Sequence, residues 1–338
     1  MADRPAAGTR WLGHAGTTPV KHPEEIVAMI DFGGHVVIVT GGGRGLGRLY
    51  ALEFARRGAS VVVNDLGGSV IGEGSDHSVA AQVVEEIERA GGTAVASHAS
   101  VADPDGGEAI VRTALDRFGR LDAVVSNAGI FQTMGFDQLT PADWRRMLTV
   151  HLDGGFYLSQ PAFRVMKAQG YGRFVFISSS AGFFGQAEAA HYAAAKAGLL
   201  GLTNVLAIEG APYGILANTV LPTGHSRMVT ATVEGMDQIP EVSTFLKAIE
   251  PELVVPMVVF LASRSCNFTH HNYSACAGRY ARAFVGLGEG WYAEPGSSPT
   301  ADDIGAHLAE ISATQPHSVP ESIYDEVAGI WALLGIAS

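Results

Sequence analysis

Three side chains in this sequence have the types and spacing that proton transfer needs. Tyr192 and Lys196 stand four residues apart in a run with helical patterning, so they share one helix face. A phenol can give or take a proton, but its ordinary pKa of about 10 is too high for a base at neutral pH. A nearby cation favours the phenolate, and Lys196 can supply one. Ser179 lies 13 residues before Tyr192, at the end of an apolar run. Its hydroxyl can hydrogen-bond the same substrate oxygen as the phenol. A Tyr-x-x-x-Lys pair also arises by chance on helices, and a second pattern gives this one its weight.

That second pattern begins at Val36. A short apolar run ends in Thr40, and glycines follow at Gly41, Gly43, Gly45 and Gly47, with Arg44 and Leu46 between them. Helical patterning over 48–55 leads to Gly58, and a second apolar run over 60–63 ends at Asn64-Asp65. Strand, glycine turn, helix, strand and acid follow the order of a dinucleotide-binding βαβ unit. The glycines let the backbone approach a pyrophosphate, which sits at a helix N-terminus where free N–H groups point at it. Asp65 lies 18 residues past Gly47. There a carboxylate can accept from a ribose 2′-hydroxyl and repel a 2′-phosphate.

The remaining elements must carry these residues to one place. Helical spacing is predicted over 78–90, 107–118, 140–163, 188–209, 251–262 and 322–334, and strands over 93–96, 121–125, 172–177 and 215–221. Small-residue turns close several strands: Ser126-Asn127-Ala128-Gly129, Ser178-Ser179-Ser180, and Pro222-Thr223-Gly224. Strands alternating with helices predict an α/β fold, a Rossmann-type doubly wound parallel sheet. The expected organisation is an N-terminal arm over 1–33, with a turn or two of helix over 24–30. A single domain over 34–285 and a C-terminal extension over 286–338 follow.

Composition narrows the function classes. The chain has 338 residues, 47% hydrophobic and 17% charged, which suits a buried core and not disorder. A net charge of −12 argues against nucleic acid and against an anionic membrane as partner. No apolar run is long enough for a bilayer span or a secretory signal, so the expectation is a soluble, cytoplasmic protein. Cys266 and Cys276 match no zinc spacing. With His270 and His271 they form no complete ligand set, and no metal is expected. The two histidines read as a loop near the substrate opening or a subunit contact. Asp65 and Asp122 are too distant in sequence to pair as carboxylates.

Thr40 to Gly47, Asn127-Ala128-Gly129, Ser179 and Tyr192-Ala-Ala-Ala-Lys196 resemble the short-chain dehydrogenase/reductase family over roughly residues 34–285. The resemblance implies a nicotinamide cofactor, with Tyr192 as general acid/base and Ser179 orienting the substrate carbinol. Lys196 would bind the nicotinamide ribose and lower the tyrosine pKa. Asn127, Ala128 and Gly129 would flank the adenosine, and Leu66, Pro222, Thr223 and Gly224 would complete the cofactor cleft. Within the family, Val61 to Gly68, Val150 to Phe156, Leu199 to Gly210 and Asn218 to Met228 are similar to the dehydrogenase domain of peroxisomal multifunctional (D-bifunctional) enzymes. That likeness implies NAD-dependent oxidation of a (3R)-hydroxyacyl-CoA; 338 residues leave no room for the hydratase and sterol-carrier domains of those enzymes, so a stand-alone dehydrogenase is expected. It also suggests a homodimer or homotetramer packed through helices 140–163 and 188–209. A hydroxysteroid or other bulky secondary alcohol is the alternative substrate. A nucleotide sensor without turnover is the alternative class, and it would need none of Ser179, Tyr192 and Lys196.

Three positions depart from the family pattern. His151 replaces an asparagine in the helix before the catalytic serine; it either holds the water of a proton relay or packs as an ordinary helix residue. Ala99, followed by Ser100, stands where many members have an aspartate near the adenine, so those contacts are weaker or made by backbone. Arg44 is of a type that helps bind NADP in some members, but Asp65 opposes it and favours NAD. Substrate choice is expected to lie in the loops at 183–191 and 223–250.

Overall fold

The computed structural model describes residues 29–225, 229, 239–294 and 296–334. The helical turn expected over 24–30 lies almost wholly outside these residues. Eight strands form one sheet in the order β3-β2-β1-β4-β5-β6-β7-β8. They are β1 (Val36–Thr40), β2 (Ser60–Asn64), β3 (Thr93–Ser97), β4 (Ala123–Ser126), β5 (Gly172–Ile177), β6 (Ile215–Thr223), β7 (Asn272–Cys276) and β8 (Arg279–Ala283). All neighbours pair in parallel except β7 and β8, which form an antiparallel hairpin at the edge. The chain order reverses between β1 and β4, the switch point at which open α/β sheets bind ligands.

Helices cover both faces, because successive residues of a strand point to opposite sides. Val37 and Val39 face a core shared with α1 (Gly45–Arg56), α2 (Ser78–Arg89) and a late helix over Val255–Ala262. Val36 and Ile38 face the other core, with α3 (Pro104–Phe118), α5 (Gly154–Gln169) and α7 (Ala190–Gly210). Between α3 and α5 lies α4 (Pro141–Leu148), and α6 (Ser180–Phe184) precedes α7. A fully buried side chain such as Phe54 contributes roughly 1.5–3 kcal/mol to either core.

Local chemistry sets the ends of these elements. The carboxylate of Asp103 accepts from the Asp105 N–H at 3.0 Å with Pro104 in the first turn, and Gly119 ends α3 at φ 76°. Thr140 and Pro141 open α4 in the same way. The long helix expected over 140–163 is not continuous. It runs as α4, a π-helical turn over Thr149–Asp153, then α5, with His151 in the wide turn. Such turns insert one extra residue and re-aim a side chain, often at a functional site.

Phe32 belongs to the domain and not to an arm. It is fully buried, stacks edge-on to Phe54, and its N–H donates to the Arg57 carbonyl at 2.9 Å. Beyond β8, a short antiparallel pair joins Leu287–Gly288 to His317–Ser318, and a helix spans Ile323–Leu333. Among the described residues, no helix is long and apolar enough to cross a membrane.

Candidate active site

The glycine turn after β1 is held by its neighbours across the switch point. Gly41 adopts φ 62°, a region that favours glycine. A Cβ on Gly47 would lie 2.0 Å from the Gly41 carbonyl oxygen and 2.7 Å from Asn127 Nδ2. Asn127 Nδ2 donates to the carbonyls of Thr40 and Gly41 at 2.9 and 3.2 Å. Thr40 Oγ1 accepts from the N–H groups of Asn127 and Ala128, both at 3.0 Å. The Asn127 amide nitrogen is therefore spent on the turn. Gly43 does not line the cavity. It backs Asp65 and α2, where a Cβ would lie 2.4 Å from Val79 Cγ1.

Above the turn, α1 begins with no side-chain cap and no acid in its first turn. Its leading N–H groups are thus left for an anion, which the end of a helix dipole favours. Asp65 closes β2. Its Oδ2 accepts from the Gly43 N–H at 2.9 Å and its Oδ1 from the Gly67 N–H at 2.7 Å. A carboxylate has further lone pairs, so it can still receive a ribose hydroxyl. Arg44 reaches along the wall, with Nη1 donating to the Gly68 carbonyl at 3.1 Å. These residues fit the pyrophosphate and ribose of a dinucleotide.

One cavity of about 720 Å³ runs from this turn along the sheet's C-terminal edge. Gly41, Arg44, Gly45, Leu46, Gly47, Asp65 and Leu66 line one end. Ala99, Ser100, Asn127, Ala128 and Gly129 follow, then His151, Ser179, Tyr192 and Lys196, with Pro222, Thr223 and Gly224 on the far wall. Gln186 and Phe245, from the loops expected to choose the substrate, line it too, as do Phe131 and Val70, which sequence reasoning missed. The only signal for these last two was position: Phe131 follows the small-residue turn after β4, and Val70 lies in the glycine-rich stretch after Asp65. Of the loops expected to choose the substrate, 226–228 and 230–238 lie outside the described residues.

Ser179 is the N-cap of α6; its Oγ accepts from the Ala181 N–H at 3.1 Å. Tyr192 and Lys196 project from the first turns of α7. Burial pushes the Tyr192 phenol up, and a hydrogen bond with Ser179 offsets part of that. Lys196 lies one turn further along the same helix face. Its Nζ donates to the Ile177 carbonyl at 2.6 Å and stands 5.7 Å from the Tyr192 ring centre. Burial also brings the Lys196 ammonium down to about 7, so its charge is itself marginal at neutral pH.

His151 is buried in the π-helical turn. Its Nε2 lies 3.1 Å from the Ile130 nitrogen and 2.8 Å from the Ile130 oxygen. Its ring is perpendicular to that of Tyr192, with centroids 5.2 Å apart. Burial first, then the Lys196 charge, hold its pKa well below the usual histidine range. A neutral, packed imidazole is the result.

The histidine pair is elsewhere. The His271 N–H donates to Asn218 Oδ1 at 3.0 Å as the chain enters β7, and its ring stacks on Phe268. That is the N-terminal end of β7, opposite the cavity, so the expected place at the substrate opening does not stand. Asp122 is likewise remote from Asp65. It is fully buried just before β4 and bound to Arg120 and the Val36 N–H.

Comparison with known proteins agrees with this architecture. The short chain dehydrogenase family model matches residues 35–237. The chain belongs to that family. It is 48% identical over 237 residues to peroxisomal multifunctional enzyme type 2 of Mus musculus, covering 70% of this chain and 31% of that one. It is 40% identical over 303 residues to peroxisomal multifunctional enzyme A of Dictyostelium discoideum, covering 90% and 66%. The chain thus spans two thirds or less of these relatives. The full-length type 2 enzyme of Drosophila melanogaster superposes with a TM-score of 0.75 at 31% identity, over 90% of this chain and 50% of that one. The family and its dehydrogenase-named relatives make this chain an oxidoreductase acting on CH–OH groups. Dehydrogenases of this family use NAD or NADP. The expected cytoplasmic location is overturned, because the relatives named here are peroxisomal proteins.

Proposed function

We propose that this protein is an NAD-dependent dehydrogenase that oxidises a secondary alcohol, with (3R)-hydroxyacyl-CoA as its substrate class. One observation carries the reading: Asp65, Ser179, Tyr192 and Lys196 line a single continuous cavity at the switch point. The names of the relatives support a dehydrogenase in a peroxisomal setting, and the likeness of Val61 to Gly68, Val150 to Phe156 and Leu199 to Gly210 to the multifunctional-enzyme dehydrogenase domain supports the acyl-CoA class. Asp65 supports NAD, since a 2′-phosphate would meet its carboxylate.

When bound, the dinucleotide supplies the hydride acceptor. The chain's own residues do the rest. Ser179 hydrogen-bonds the carbinol oxygen and fixes its distance from the phenol. Tyr192, as phenolate, takes the hydroxyl proton while the carbinol carbon loses its hydride. Lys196, held by the Ile177 carbonyl, anchors the ribose and adds positive charge when protonated. His151 keeps the Tyr192 ring in place as a packed, neutral residue. Exposed Phe156 on α5, with Val205 and Ile208 on α7, supports a homodimer or homotetramer through those helices.

The test is reduced-cofactor formation from (3R)- and (3S)-hydroxyacyl-CoA and from hydroxysteroids, each with NAD and NADP. Turnover of the (3R) thioester with NAD is expected. Turnover of steroids alone would replace the substrate class, and NAD binding without any turnover would leave the sensor reading.

A further inference from the structure

The segment after Asp65 is built as a closed loop. Its neck is pinned where the Asp76 N–H donates to the Leu66 carbonyl at 2.9 Å. A Cβ on Gly67 would lie 2.1 Å from the Asp76 carbonyl oxygen, so the neck admits no side chain there. Asp65 itself holds the loop's first turn through the Gly67 N–H. At its tip the loop crosses the cavity and meets the strand-end segment after β4. There the Phe131 N–H donates to the Val70 carbonyl at 2.9 Å, and a Cβ on Gly72 would lie 3.0 Å from Ile130 Cγ2.

What this loop pins is the support of Tyr192. The Phe131 ring is 5% exposed and stands at 90° to the Tyr192 ring, with centroids 5.1 Å apart. Ile130 holds His151, the second ring perpendicular to Tyr192. Both aromatic neighbours of the phenol thus depend on residues 130–131, and those depend on the loop that starts at the ribose-end acid. Perpendicular packing is the preferred arrangement of aromatic rings and fixes a ring's plane.

Building on the dehydrogenase reading above, we propose that Phe131 is a positioning residue for Tyr192, and that the loop over 66–76 holds it there. The loop thereby ties the ribose end of the cleft to the proton-transferring end. Nothing in this role requires Phe131 to touch the reacting atoms.

The experiment combines kinetics with a titration that needs no substrate. Protein labelled with 13C at tyrosine Cζ is titrated from pH 8 upward to the onset of alkaline unfolding, a range that runs past the ordinary phenol pKa of about 10, with the Tyr192 signal assigned by Tyr192→Phe. Phe131→Leu keeps an apolar wall without a ring, and Phe131→Tyr keeps the ring. In Phe131→Leu, kcat should fall roughly tenfold with KM for NAD unchanged, and Tyr192 should titrate about one pH unit lower as water reaches it. Phe131→Tyr should restore both. Gly72→Ala, which strains a residue at φ 85° and presses on Ile130, should reproduce the Leu signature more weakly. An unchanged titration and kcat in Phe131→Leu, or a change confined to substrate KM, would overturn the positioning role. A normal Gly72→Ala would overturn the loop's part in it. Silence of the wild-type enzyme on every alcohol would instead overturn the dehydrogenase reading, and the titration would still judge Phe131.

Discussion

His151 lies so close against Gly129 that a Cβ on the glycine would fall 2.3 Å from His151 Cε1. The small residue after the β4 strand end is therefore a requirement of the ring behind it, and that ring stands against Tyr192. Gly129→Ala must push His151 off its place. The expected result is a loss of about 1–3 kcal/mol of stability from overpacking, together with a fall in turnover of at least about tenfold, on the order of one displaced catalytic contact. Denaturant unfolding and steady-state rates on the same preparation check both.

Burial of Lys196 makes stability depend on pH. Its folded pKa of about 7 lies below the ordinary value of 10.5. Between these the unfolded chain binds more protons, so stability rises with pH, by at most about 1.4 kcal/mol per pH unit from one group. Lys196→Met should flatten the rise between about pH 7 and pH 10 when unfolding is followed in urea. Above about pH 10 the sign reverses. The buried phenols of Tyr50 and Tyr192 resist ionisation that unfolded tyrosines undergo, so their share of stability is then lost.

The Tyr50 hydroxyl is buried with no hydrogen-bond partner among the described residues. A lone buried polar group costs roughly 1–3 kcal/mol. Tyr50→Phe should therefore be neutral or raise stability by about 1 kcal/mol, read as a higher denaturation midpoint with an unchanged slope.

Asp122 should behave oppositely. Its carboxylate accepts from the Val36 N–H at 2.8 Å and from two Arg120 nitrogens at 2.8 and 2.6 Å. Asp122→Ala strands these donors and should cost about 3 kcal/mol. Dinucleotide affinity should be retained at a temperature where the variant is folded, because Asp122 sits at the far end of the sheet from the cavity.

Much of this molecule is legible in its sequence, for reasons that differ by residue. Gly41, Gly47 and Asp65 can be read because turn geometry and charge dictate the residue type. Asn127 can be placed in the cleft but its task cannot, since only the fold shows its amide turned back onto Thr40 and Gly41. The β7–β8 hairpin is hidden. Its strands mix polar and apolar residues at a half-exposed edge, and its turn is Ala277-Gly278, where both residues adopt positive φ. Asparagine–glycine would have signalled it; alanine there does not. The π-helical turn at His151 leaves no mark in the periodicity, because one extra residue in a wide turn barely shifts the apolar pattern. Phe131 reads as one more core residue until its ring is seen against Tyr192.

The proposed preference for NAD rests on Asp65. Asp65→Ala should weaken NAD use and narrow the preference over NADP, as measured by kcat/KM with each. The glycine turn should also loosen, since the Gly43 and Gly67 N–H groups lose their acceptor.

The most direct test of the whole account is Tyr192→Phe, assayed for NADH formation from the best alcohol of the panel alongside NAD binding by calorimetry. Turnover should fall roughly 10²–10⁴-fold, the usual range for a lost acid/base group, with NAD still bound. Turnover near the wild-type rate would contradict the assignment of proton transfer to Tyr192, and with it the chemistry assigned to this cavity.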